Sequence, residues 1–210
     1  TPPLNLVGDY GGGAMFLVSG VLAALISAQR TGTGQVVDAA MCDGVASLMT
    51  MFHELAAAGQ WTSHRESNLL DGGAPFYRTY ECADGRFIAV GAIEPQFYEV
   101  LCSSIGIDAR AAGMRLDQSR WPELREHIAD MIRTRPADEW VALLEHTEAC
   151  VSPVLSMDEA RSHAHLQARN VFIDMNGMKQ PAPAPRFSAT PTAARPAPRA
   201  LMSLDAALAR

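Results

Sequence analysis

The chain has 210 residues, 48% of them hydrophobic and 19% charged, and a formal net charge of −6. That is enough apolar material for a buried core, and it excludes wholesale disorder; the acidic balance, with Lys179 as the sole lysine, excludes a general affinity for nucleic acid or anionic membrane, which needs clustered Lys and Arg. Cys42, Cys82, Cys102 and Cys150 lie far apart without Cys-x-x-Cys spacing, so they read as reduced thiols of a cytoplasmic protein, not as a zinc site or a disulfide framework.

In chain order, Thr1-Pro2-Pro3-Leu4-Asn5 reads as a loop inside a protein. With no Met start, basic segment or cleavage site, further sequence upstream is expected. A glycine cluster (Gly8, Gly11, Gly12, Gly13) precedes a helical pattern over residues 14–30, stopped at Thr31-Gly32-Thr33-Gly34. The apolar part of that pattern, residues 14–28, is shorter than the roughly 20 residues a bilayer needs and contains Ser19, Gly20 and Ser27, which predicts a buried helix. The β-branched run at 35–40 predicts a strand and residues 41–58 a second helix, an α/β pattern.

Residues 63–75 are polar and glycine-bearing, a linker or an active-site loop. Runs at 76–82 and 86–91 predict a hairpin turning at Asp84-Gly85. Amphipathic helices follow at 95–105, 121–133 and 137–146, the last with Asp138 as a first-turn acid. A strand is expected at 151–155 and a helix at 157–167. Beyond Gly177 the prolines favour an extended path, closed by a short helix at 203–209.

Several segments could carry chemistry. Gly8-Asp9-Tyr10-Gly11-Gly12-Gly13 would set a carboxylate beside the free N–H groups of a first helical turn, while glycines let a substrate approach the backbone. That pairing suits enolisation of a thioester, in which a base takes the α-proton and backbone donors stabilise the charge growing on the carbonyl oxygen. Asp9 as a simple helix cap is the competing reading. Glu94, between a strand and a helix opened by Pro95, reads either as a site carboxylate or as a solvated first-turn acid. The stretch from Asn68 to Tyr77 could line a pocket, with glycines for a close wall and the Tyr77 hydroxyl; the alternative is a plain loop turning at Asp71-Gly72. The methionines could face an adaptable acyl pocket, but Met15, Met41, Met49 and Met51 lie in apolar helices and are expected in the core. No histidine pair has metal-ligand spacing, and a Gly-x-Ser-x-Gly elbow, a P-loop and a dinucleotide fingerprint are absent, so neither a metal nor a cofactor is expected.

Taken together, the block from Pro2 to Gly13, Gly34-Gln35-Val36-Val37-Asp38-Ala39-Ala40-Met41, Leu70-Asp71-Gly72-Gly73-Ala74-Pro75, Tyr80-Glu81-Cys82-Ala83-Asp84-Gly85, the block from Gly91 to Tyr98, and Pro183-Ala184-Pro185-Arg186-Phe187-Ser188 resemble α-methylacyl-CoA racemases of the family III CoA-transferase superfamily. The resemblance implies an α/β protein: part of a large Rossmann-like domain (residues 1–39), a linker (40–77), a small α+β domain (78–162), a second linker (163–182) and a return to the large domain (183–210), interlocked as a homodimer. It implies Asp9 as the base on one face of an acyl-CoA thioester and Glu94 as the carboxylate orienting a catalytic histidine on the other, with Asn5, Gly8, Tyr10, Leu70, Asp71, Gly72, Gly73, Tyr77 and Ile93 contacting substrate. In the family that histidine precedes the catalytic Asp at a position this sequence does not include, and most of the CoA-binding surface is also upstream. Three functions follow: an isomerase of 2-methylacyl-CoA; a CoA-transferase in which Asp9 attacks the thioester; or an inactive truncated homologue. Coenzyme A would be part of the substrate, with no separate cofactor and no membrane partner.

Overall fold

The structure, a computed structural model, describes residues 3–108 and 115–195; the helix expected at 203–209 lies outside them.

The first helix starts earlier than the sequence predicts. Leu6–Met15 winds as a π-helical segment and runs directly into α1, Phe16–Thr31, giving 26 continuous helical residues that end at Gly32 with φ 75°. The glycines explain the early start, because they remove the side chains that would keep the chain off α2, Met41–Leu48. A Cβ on Gly12 would sit 2.7 Å from Val45 Cγ2, and one on Gly44 would run into the Gly12 carbonyl. This backbone-to-backbone contact holds the π-helical segment on α2.

No strand forms at residues 35–40. They run extended beside α1, with Val37 packed over Gly20 and Val36 94% exposed, because no described neighbour offers a ladder to pair with. The helix predicted at 41–58 breaks at Met49 into α2 and α3, Thr50–Ala57. The expectation of a buried helix is also corrected: in this chain Leu17, Val21, Leu22, Leu25 and Ile26 of α1 are exposed, as are Met15, Met41, Met49 and Met51. Among the described residues nothing covers those faces, and the 26-residue run is long and apolar enough to cross a membrane.

The main core lies further along. Strands β1, Tyr77–Glu81, and β2, Phe87–Gly91, form the predicted hairpin, antiparallel with Tyr77 opposite Gly91, and Gly85 takes φ 77° at the turn. Strand β3, Val151–Pro153, adds to the far side of β2 and completes a three-stranded antiparallel sheet in the order β1-β2-β3. Alternation puts Ile88 and Val90 of β2 on the buried face. Helices α4, Pro95–Ile105, α5, Trp121–Ile132, and α6, Ala137–Leu144, cover that face. Trp121, Leu124, Ile128 and Ile132 form the buried stripe of α5 at helical spacing. Trp140 is buried and donates its indole N–H to the Ile132 carbonyl at 2.7 Å. Asp138, in the first turn of α6 as expected, pairs with Arg86 at 2.6 Å, tying the hairpin turn to α6.

The helix predicted at 157–167 is two helices, α7, Met157–Ser162, and α8, Ala164–Ala168, separated by extended backbone at His163. Ser156 and Glu159 form a reciprocal capping box at the start of α7. A second hairpin, β4 Phe172–Met175 and β5 Met178–Pro181, turns at Asn176 and Gly177, both with positive φ. The sequence carries its signal in that Asn-Gly pair, which the prolines downstream obscure.

Candidate active site

Asp9 lies in the first turns of the π-helical segment and is exposed; the residue at the N-cap is Asn5, whose side chain makes no capping bond. Asp9 is therefore not the cap that local sequence suggests. Tyr10 N–H donates to the Asn5 carbonyl at 3.2 Å, and Gly8 and Asp9 precede it in the first turn, where helix geometry provides their N–H groups with no carbonyl one turn back within the helix. An exposed carboxylate thus stands beside two open donors at a positive helix end, where an anionic oxygen is favoured. A Cβ added at Gly8 would meet nothing within 4 Å, so this glycine keeps open space on the approach side. Gly12 and Gly13 are spent on the contact with α2 and are buried. Tyr10 is 54% exposed.

Glu94 is at the N-cap of α4, with Pro95 in the first helical turn, as the sequence predicts. Its backbone carbonyl accepts from Tyr98 N–H at 3.0 Å, but its side chain makes no capping bond and is exposed, leaving the carboxylate free for an external partner. Ile93, half-buried, packs against the core and fixes the approach to Glu94. Among the described residues no hydrogen bond or ion pair joins Asp9 to Glu94. The two carboxylates belong to separate packing units: Asp9 to the segment on α2, Glu94 to the core around the three-stranded sheet.

Between them in sequence runs the loop of residues 58–76. Its turn is organised by Asp71, whose Oδ1 accepts from Asn68 N–H at 2.8 Å and Gly73 N–H at 3.0 Å, and whose Oδ2 accepts from the Asn68 amide at 2.7 Å and Ser67 N–H at 3.3 Å. Burial works to raise the Asp71 carboxyl, but those four donors outweigh it and hold the pKa below the usual carboxylate value. The side chain of Asp71 is thus engaged inside the loop. Gly72 takes φ 87°, and a Cβ on Gly73 would fall 2.6 Å from Asn68 N, so both glycines are required by the winding of the turn. Leu70 is half-buried beside it.

Gly72 and Tyr77 meet at a cleft of about 400 Å³, together with Arg78, Gly91, Cys150 and Ser152. Sequence reasoning names the first two and misses the others, because strand pairing, not chain order, brings β3 and its approach alongside Gly91. Gly91 N–H donates to the Cys150 carbonyl at 2.9 Å, and Cys150 has φ 52°. Burial, then the charges of Glu94 and Glu148, push the Cys150 thiol up. Gly91, in the cleft wall, ends β2 three residues before Glu94. Among the described residues no group of His, Cys, Asp and Glu is arranged to hold a metal ion.

The profile of "CoA-transferase family III" matches residues 3–200. The chain is 42% identical over 191 residues to the alpha-methylacyl-CoA racemase of Mus musculus, covering 90% of this chain and 50% of that protein. It is 30% identical over 189 residues to the succinyl-CoA–D-citramalate CoA-transferase of Chloroflexus aurantiacus, covering 85% and 46%. A crystal structure of a hypothetical protein from Mycobacterium tuberculosis superposes with a TM-score of 0.69 at 20% identity, covering 90% of this chain and 51% of that one. The chain spans about half the length of the curated relatives it matches.

Proposed function

The chain belongs to CoA-transferase family III, and from that premise we propose that the protein carrying it racemises 2-methylacyl-CoA thioesters, with Asp9 as one of two bases. The observation that carries the proposal is an exposed Asp9 carboxylate adjoining the first-turn N–H groups of Gly8 and Asp9, in a chain 42% identical to a racemase. In this reading Asp9 takes the α-proton from one face. The electron pair of the C–H bond moves to the thioester oxygen, which those N–H groups receive as an oxyanion. A histidine oriented by Glu94 returns a proton to the opposite face, so configuration inverts and nothing is oxidised or reduced. That histidine would come from the region the family places ahead of Asp9, and Glu94, with no internal capping bond, is available to receive its ring N–H.

The cleft lined by Gly72 and Tyr77 would take the acyl-CoA, with Asn5, Tyr10, Leu70 and Ile93 around the approach; the reaction needs neither metal nor cofactor. In this reading the exposed apolar faces of α1, α2 and α3 are buried within an interlocked homodimer, and a cytoplasmic location is part of the same proposal. Incubating the complete protein with a 2-methylacyl-CoA in deuterated water tests the reading: incorporation of deuterium at the α-carbon is expected, and none would overturn it. A transferase is the second reading, favoured by the 30% identity to a CoA-transferase. There Asp9 would attack the thioester carbon and expel CoA thiolate, forming an acyl anhydride, and hydroxylamine would trap Asp9 only in that case.

A further inference from the structure

The Gly72–Gly73 peptide is pinned from both sides by charged side chains. Its carbonyl, on Gly72, accepts from Arg78 Nη1 at 3.0 Å; its N–H, on Gly73, donates to Asp71 Oδ1 at 3.0 Å. A peptide between two glycines, one of them in the left-handed region at φ 87°, is among the easiest in a chain to flip, because neither residue has a Cβ to resist rotation. Flipping it would break both bonds at once. A second guanidinium braces the same loop from α5: Arg125 Nη1 donates to the Glu66 carbonyl at 3.2 Å and reaches the Gly73 carbonyl at 3.5 Å.

Arg78 differs from Arg125 in its position. It projects from β1 directly after Tyr77 and lines the 400 Å³ cleft together with Gly72 and Tyr77. Its side chain is 25% exposed, its cation lies 5.6 Å from the Tyr80 ring, and its other amino group is 3.7 Å from the Glu66 carboxylate. These contacts limit its rotamers, so the guanidinium is a fixed donor at the cleft wall. Resting on the racemase reading above, we propose that Arg78 is a positioning residue of the acyl-CoA cleft: it fixes the Gly72–Gly73 peptide against Asp71 and so sets the wall opposite Tyr77. It acts on the fit of the bound acyl-CoA and takes no part in moving the α-proton.

Two measurements on the complete protein test this, using Arg78→Gln and Arg78→Lys. Amide hydrogen exchange at Gly73 reports the pinning without any substrate. About tenfold or faster exchange is expected in Arg78→Gln, from loss of a charge-assisted bond, with Arg78→Lys restoring most of the protection. For α-proton exchange on 2-methylacyl-CoA, KM is expected to rise about tenfold in Arg78→Gln while kcat changes less than about threefold, with Lys again intermediate. Unchanged Gly73 protection in Arg78→Gln would overturn the proposal, as would a fall in kcat at constant KM. If Arg78→Gln fails to fold, Arg78→Lys decides: wild-type values of both Gly73 protection and KM would overturn it. A wild-type protein inactive in α-proton exchange would sink the racemase reading while Gly73 still reports whether Arg78 holds the peptide.

Discussion

Asn68 and Asp71 bind each other twice: the backbone N–H of Asn68 reaches Asp71 Oδ1 at 2.8 Å, and its side-chain amide reaches Oδ2 at 2.7 Å. Asn68 is 3% exposed, and its amide also exchanges bonds with the backbone of Thr62, whose N–H it accepts at 2.8 Å and whose carbonyl it serves at 2.9 Å. Every polar atom of this buried amide is used. Replacing Asn68 with Ala leaves several of these groups without partners and is expected to cost about 1–3 kcal/mol in urea unfolding, with residues 58–76 becoming the first point of proteolysis.

The same pair gives a pH dependence. The Asp71 pKa is depressed in the folded state, so its contribution to stability is fully present above the unfolded value of about 3.9 and is lost as pH falls through the lower folded value. Unfolding free energy measured from pH 6 down to pH 2 should fall less steeply in Asp71→Asn than in the wild type, and the variant should be the less stable protein at pH 6. Parallel acid limbs would contradict the assignment.

The contact between the π-helical segment and α2 depends on two glycines facing each other. Gly44→Ala drives a Cβ into the Gly12 carbonyl, an overlap that only separation of the two elements relieves. A loss of at least about 1–3 kcal/mol is expected in thermal or denaturant unfolding, with greater amide exchange in the π-helical segment and α2 than in the sheet. Trp140→Ala should show the reverse pattern. It empties a buried indole site and leaves the Ile132 carbonyl without its donor, costing about 3–5 kcal/mol and loosening the sheet and its helices.

The apolar face of α1 should govern association. Leu22 and Leu25 are 55% and 54% exposed. By sedimentation velocity the 210-residue chain is expected to self-associate, and Leu22→Glu combined with Leu25→Glu to reduce that association, because charges on the face disfavour its burial. A chain that stays monomeric without substitution would contradict this, and sedimentation with lipid vesicles would show the face meeting bilayer instead.

Local signals account for the elements that the sequence makes legible. The Asp84-Gly85 hairpin, the Pro95 opening of α4 and the stripe of α5 each depend on residues within a few positions of one another. Tertiary context overrides the pattern elsewhere. Residues 35–40 have strand composition but no partner to pair with, and the glycines before α1 become a π-helical contact because α2 offers a complementary glycine. At the candidate site, the exposed carboxylates of Asp9 and Glu94 and the bends at Gly72 and Gly73 could be anticipated. The arginines could not: Arg125 reaches a carbonyl 59 positions away, and nothing in its local sequence marks it. Cys150 likewise enters the cleft only through pairing of β2 with β3.

The most direct test of the central claim is α-proton exchange in deuterated water, measured separately on the 2R and 2S forms of a 2-methylacyl-CoA, with the complete protein and its Asp9→Asn variant. If Asp9 serves one face, the wild type exchanges both forms, and Asp9→Asn loses about 10²- to 10⁴-fold on one enantiomer while the other still exchanges through the opposite base. Equal exchange of both enantiomers by Asp9→Asn at wild-type rates would remove Asp9 from the chemistry.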